Sequence, residues 1–318
     1  MYMKKQIITV TTLATLLAGC SNNEVYNEVN TPGSTPIDFT NLNDRVSRAA
    51  NDAESNYQVY AKLSTSGQNA WFIDEEITGK GEGQDKPSSG NTYYWPSEGT
   101  VTFYSWAPST ITPTAESAFP DLTIDYTVPS GANEDFTVAT PITQSSGTVN
   151  FKFSHMLSKI TVSAAVSEAL TTAGYSIEFT SATLGVNTNG GTLTPTAATP
   201  AWTTPNTNTT SATYTDAKTY MIMPQPSTDC TVQLKGVTIK KGDVTVFSGK
   251  DMSIYTIAAN DVTGNEFSKG THYNLKLTVK DTSTDSDGNP IFGGEIKFSA
   301  ELAADWTTVT PDPGPTQP

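Results

Sequence analysis

The chain has 318 residues, a formal charge of −14 and an isoelectric point near 4.5. That balance excludes a nucleic-acid partner, because phosphate binding needs a basic stripe and none is visible. Two cysteines exclude a disulfide framework, and the length allows two domains of roughly 100–200 residues, whose cores must supply the stability alone.

The chain opens with Lys4 and Lys5 before an apolar run from Ile7 to Leu17, too short and too rich in threonine for a membrane span. The run ends in Leu17-Ala18-Gly19-Cys20, which has the form of a lipobox. Residues 1–20 therefore read as a lipoprotein signal peptide, with Cys20 the lipid-bearing residue and the outer membrane the expected address. Residues 21–48 are polar, with one short alternating piece, Ile37-Asp38-Phe39, followed by Leu42. Burial of Ile37, Phe39 and Leu42 would hold a leading strand by about 1.5–3 kcal/mol each.

Thr, Ser, Gly, Pro and Asn are abundant and long helix-forming runs are absent, which favours an all-β chain of short strands and turns. In residues 49–147, Val59, Ala61 and Leu63 share one parity, and Trp71-Phe72-Ile73 is a compact apolar run. Val101 and Phe103 share one face of a strand, with Tyr104 and Trp106 on the other. Apolar groups on both faces mark a central strand of a sandwich. Tyr93, Tyr94, Trp95, Tyr104 and Trp106 allow two readings, a sandwich core or a sugar-stacking platform, and the alternation favours the core. Ile124, Tyr126 and Val128 form another strand; Phe136 and Val138 begin one more.

Residues 149–163 (V-N-F-K-F-S-H-M-L-S-K-I-T-V-S) change parity midway. Val149, Phe151, Phe153 and Leu157 are odd, whereas Ile160, Val162 and Ala164 are even. A strand cannot move its apolar set to the other face without a bulge, a bend or a change of sheet. This stretch is read as one long extended segment at a domain junction, giving an N-terminal β-sandwich over 49–147 and a C-terminal one over 148–309. In the second, Tyr175, Ile177 and Phe179 alternate, and Asn189-Gly190-Gly191 reads as a turn. Residues 192–211 read as a long coreless loop. The parity change between Leu234 and Val237 suggests a bulge after Gly236. Tyr273, Leu275, Leu277 and Val279, then Ile296, Phe298, Ala300 and Leu302, are the clearest alternations. Residues 310–318 form a Pro-rich tail.

Catalytic and metal chemistry have little support. His155 and His272 are the only histidines, neither in a metal-spaced cluster. Asp285-Ser286-Asp287-Gly288 approaches a calcium loop, but the pattern's first and twelfth positions are Ser283 and Gly294, so a polar hairpin loop is expected. No nucleophile elbow, phosphate loop or zinc spacing occurs. The expectation is no enzyme, no metal and no cofactor.

Five pieces occur in an order that resembles the fimbrillin-like family, the type V pilus subunits and related surface lipoproteins of Gram-negative anaerobes. They are Y-Y-W-P-S-E-G-T-V-T-F-Y-S-W-A-P, F-K-F-S-H-M-L-S-K-I-T-V, M-I-M-P-Q-P, G-T-H-Y-N-L-K-L-T-V and I-K-F-S-A-E-L-A-A-D-W. The resemblance implies transthyretin-like topology for both domains. It also implies arginine-specific cleavage at Arg48–Ala49, with Arg45 the second choice, removing the leading strand so that a neighbouring subunit's strand fills the groove. The implied role is a structural or adhesive subunit of a surface fimbria, at tip, stalk or an accessory position. Its partners would be other fimbrial subunits, the outer membrane through the lipid, and surface glycans or proteins. Prolines in the tail cannot supply a ladder of N–H groups, which favours a tip, accessory or anchor position unless residues 302–309 are the donor. The alternative class is a glycan-binding surface lipoprotein, which requires the aromatic cluster to form an exposed flat platform.

Overall fold

A computed structural model describes residues 35–42, 56–65, 67, 70–78, 87–114, 119–131, 133–203, 210–279 and 296–302, with the backbone alone at 41–42 and 296–302. The chain is mostly β, arranged in several sheets. Its α-helix among these residues, Glu168–Thr172, is five residues long and is capped by Ser167, whose Oγ accepts the Leu170 N–H at 3.4 Å.

The first sheet runs, in spatial order, Asp38–Leu42, Thr148–His155, Thr137–Ala139, Val101–Ala107, Tyr57–Leu63, Ile73–Thr78 and Ser88–Ser89, with Ile142–Gln144 also pairing to Val101–Ala107. Val101–Ala107 is central because both its faces are apolar. Val101 and Phe103 enter one core with Val59, Ala61, Ile73 and Phe151. Tyr104 and Trp106 enter a second core that continues into the C-terminal half. There Ser158–Val166 lies between Thr219–Ile222 and His272–Val279, and Ile296–Leu302 pairs antiparallel outside the last. A sheet of Ala212–Ala217, Ser181–Val186, Cys230–Lys235 and Tyr255–Thr256 shares that core, as does one of Tyr175–Glu178, Val237–Lys241 and Val244–Lys250.

Both parity changes mark a change of sheet. The strand Thr148–His155 ends in the first sheet, the chain turns through Met156 and Leu157, and Ser158–Val166 begins in the C-terminal one. The stretch is thus two strands and not one. The parity change at Gly236 is likewise a change of sheet, since Cys230–Lys235 and Val237–Lys241 belong to different sheets, and the register of the latter against Val244–Lys250 also shifts between Val237 and Ile239. Gly236 makes the corner at φ +58°, and a Cβ there would stand 2.5 Å from Thr180 Oγ1, so both backbone angle and space call for glycine.

Two further expectations fail together. Gly190 and Gly191 do not form a turn; they begin the strand Gly190–Leu193, which pairs antiparallel with Ile124–Thr127 of the N-terminal half. Glycine is needed because a Cβ on Gly190 would lie 2.7 Å from the Tyr126 carbonyl oxygen. Of the stretch 192–211, residues 192–203 are therefore not a coreless loop, and 204–209 lie outside the described residues. Leu193 is fully buried, and Trp202 bridges to it while donating its indole N–H to the Met156 carbonyl at 2.7 Å. The calcium-like loop and the Pro-rich tail lie outside the described residues.

Gly190→Ala should force the two halves apart locally and cost about 1–3 kcal/mol, the range for overpacking, seen as a lower midpoint in urea unfolding. Cys230 is fully buried, and burial pushes its thiol up to about 12. A thiol reagent at pH 8 should leave it unmodified in the folded protein and label it promptly in denaturant. Because its folded pKa is raised, its stability contribution is complete below the unfolded thiol value of about 8.5 and falls as pH rises from there towards about 12.

Candidate functional site

The N-terminal residues 35–42 form the most distinctive feature of the first sheet. Asp38–Leu42 pairs in parallel with residues 148–152, with Asp38 opposite Thr148 and Leu42 opposite Lys152 in unbroken register. Just upstream the same segment meets a second wall. Pro36 bridges antiparallel to Tyr94, the Ile37 N–H donates to the Tyr93 carbonyl at 2.8 Å, and the Trp95 N–H donates to the Thr35 carbonyl at 3.0 Å. Pro36 falls between these bonds, where its missing N–H costs nothing. The segment thus closes a gap between 148–152 on one side and 93–95 on the other.

Alternation decides what fills the slot. Ile37 and Phe39 point inwards and are 6% and 3% exposed, while Asp38 and Thr40 lie on the outer face, half-buried. The Phe39 ring sits 6.0 Å from Phe103, edge-on, and 6.2 Å from Phe151, stacked. Trp95 packs edge-on to Phe103 at 5.7 Å and donates its indole N–H to the Gly147 carbonyl at 3.1 Å. That bond joins the two walls directly, because Gly147 precedes Thr148. On the outer face Thr40 Oγ1 meets Asn150 Oδ1. Beyond the slot, burial and then the Glu75 carboxylate raise the Tyr93 hydroxyl pKa, which keeps that phenol neutral in the ordinary pH range.

The structure brings Ile37 and Phe39 together in one core. The Leu42 side chain, Cys20, Arg45, Arg48 and Ala49 lie outside the described residues. Of the five aromatics weighed as a sugar platform, Trp95, Tyr104 and Trp106 are buried and Tyr93 and Tyr94 half-buried. Tyr93 and Trp95 pack with one core and Tyr104 and Trp106 with the other, so these five rings do not make an exposed platform. His155 Nδ1 contacts Asp135 Oδ2, with the His155 side chain 26% exposed and that of Asp135 1%. His272 Nε2 lies 2.8 Å from Thr161 Oγ1. Both histidines thus join neighbouring strands or loops. Among the described residues no group of three or more His, Cys, Asp or Glu is placed to hold a metal ion.

Residue patterns pointed to the strand but not to its seat. The wall 93–95 was legible only as an aromatic patch, and the Trp95 to Gly147 bond left no local signature. A tryptophan directly before a proline, facing an isolated I-x-F piece, is the weak signal that was present.

This is a many-sheeted β protein whose first sheet ends in an N-terminal strand, with the residues just before that strand bonded to a second wall at 93–95. The chain belongs to the fimbrillin-like family, whose model matches residues 45–298. Its fold is similar to that of a fimbrial protein from Bacteroides vulgatus, at 17% identity over 86% of this chain and 99% of the other, with a TM-score of 0.56. It is similar also to candidate cell adhesion proteins from Bacteroides uniformis (16% identity, 87% and 99% covered, TM-score 0.54) and Bacteroides ovatus (15%, 87% and 99%, TM-score 0.51). At these identities the likeness is one of fold. No curated protein matches the chain.

Phe39→Ala should cost about 3 kcal/mol or more, as a large-to-small change in a packed core, whereas Asp38→Asn on the outer face should stay within about 0.5 kcal/mol. Trp95→Phe keeps most of the packing and loses the bond to Gly147, a cost of about 1 kcal/mol. Urea midpoints of the three variants test this order.

Proposed function

We propose that the chain is a structural or adhesive subunit of a cell-surface fimbria, assembled with other fimbrial subunits by strand donation. In this reading Cys20 carries lipid and delivers the chain to the outer membrane. The body comprises two tandem β-sandwich units of transthyretin-like topology, with Thr148–His155 completing the sheet of the first and the boundary at the Met156–Leu157 turn in place of 147/148, and cleavage at Arg48–Ala49, or at Arg45, matures it. Membership of the fimbrillin-like family supports the class, and the matched span begins at residue 45, just past the leading strand.

One observation carries the mechanism. The segment at 35–42 is followed at once by the chain's only two arginines, Arg45 and Arg48. All other cationic side chains in the 318 residues are lysines or histidines. An arginine-specific protease therefore has no second region to cut, however much of the chain is exposed during export. Loss of the strand would bare the backbone groups of 148–152 and the floor of Trp95, Phe103 and Phe151, an edge suited to strand addition. The chain also holds a segment of matching pattern: Ile296-Lys297-Phe298 repeats the spacing of Ile37-Asp38-Phe39. A second copy could offer that strand, which lies at the edge of its own sheet.

Digestion of the unlipidated chain with an arginine-specific protease should give one clean cut, read by intact mass, with Arg45→Lys plus Arg48→Lys resistant. Higher oligomers on size-exclusion chromatography after the cut would place the chain among self-assembling subunits. A stable cut monomer would make it a tip or accessory subunit. An uncut folded protein would end the maturation reading.

A further inference from the structure

Cys20 and the two arginines lie on opposite sides of the leading strand in sequence. A cut after Arg48 adds one water across the Arg48–Ala49 bond, leaving a carboxylate on Arg48 and an ammonium on Ala49. Residue 20 then stays with the strand, and residues 49–318 go with the body. Hydrolysis itself breaks none of the contacts of residues 35–42. The parallel ladder to 148–152, the bonds of Thr35 and Ile37 to 93–95, and the burial of Ile37 and Phe39 all remain.

We propose that the leading strand outlasts the cut as a non-covalent tether, holding the processed body to the segment that bears residue 20 until a competing extended chain displaces it. This rests on the processing proposed above and adds a separate step to it: cleavage arms release without causing it. The slot is built to keep its shape meanwhile, because the Trp95 indole bond to Gly147 joins its two walls independently of the strand.

The geometry also sets the direction of exchange. Among the described residues, no strand pairs with the outer side of Asp38–Leu42, whereas residues 35–37 are bonded to 93–95. The cut creates its new chain end on the Leu42 side. Fraying therefore begins opposite Lys152, and residues 35–37, bonded to the other wall and anchored by the buried Ile37 and Phe39, leave last. The displacing partner must be an extended segment with apolar side chains at alternate positions, two of them fitting where Ile37 and Phe39 sit. It must also lack proline where residues 38–42 pair with 148–152.

The test uses the unlipidated chain from Ser21 onwards, cut to completion and passed through gel filtration with intact-mass readout. The tether predicts that the fragment ending at Arg45 or Arg48 co-elutes with the body. Excess synthetic peptide of residues 35–42 should release it, and the same peptide carrying Ile37→Asp and Phe39→Asp should not. In a cut Phe39→Ala chain, fragment loss should be faster by on the order of tenfold or more, reflecting lost burial. If uncut Phe39→Ala fails to fold by circular dichroism, Phe39→Leu replaces it, with a smaller acceleration expected. A body that elutes free of its fragment overturns the tether and leaves processing standing. A fragment that no peptide displaces overturns the exchange step. Failure to cut at either arginine removes the processing reading and the tether with it.

Discussion

A segment bonded to two different walls in turn along its length governs the N-terminal half. Backbone N–H and C=O groups buried without partners cost as much as lost hydrogen bonds. Residues 93–95 and residues 148–152 are not paired with each other through the backbone, and one segment bonds to both. Residues 35–37 bond to the first and residues 38–42 to the second, with Ile37 and Phe39 buried beneath. The aromatic packing of Phe39, Phe103, Phe151 and Trp95 depends on this closure, since removing the strand would open all four rings to water.

The opposite side of that sheet has a different buttress. Tyr60 and Trp106 stack at 5.2 Å, and the core they enter runs on through Phe136, Tyr126 and Trp202 into the C-terminal half. The strand pair formed by Ile124–Thr127 and Gly190–Leu193 crosses between the halves, and Trp202 pins the Met156 turn where the chain changes sheet. Asp135 is held by His155 at the same place. One long shared core explains how a chain without a described disulfide keeps many short strands in place.

Edges elsewhere are treated differently, and the contrast bears on function. Val244–Lys250 is also an edge strand, with Val244 and Val246 exposed, but its pairing to Val237–Lys241 shifts register twice. Such irregularity twists an edge out of the flat ladder that an incoming strand needs. The edge at 148–152, by contrast, carries five consecutive matched partners. A regular edge covered by a strand and an irregular edge left open are opposite solutions to one hazard, and the proposed strand donation uses the first.

Local periodicity determined much of this protein by itself. The alternations of 57–63, 101–107, 148–155 and 272–279 are strands because a period of two on a pleated backbone sorts side chains to two faces. The I-x-F piece at 37–39 and the two lone arginines beyond it were legible for the same reason, being local patterns. Pairing partners were not. Nothing in Asp38–Leu42 names residues 148–152 as its neighbour, and Asn189-Gly190-Gly191 resembles a turn as well as a close backbone contact. A parity change tells only that the buried face moves, and whether by bulge or by a new sheet depends on which distant strands arrive there. Those are contacts across tens of residues of sequence, fixed by the packing of whole sheets, and the tertiary structure alone decided them.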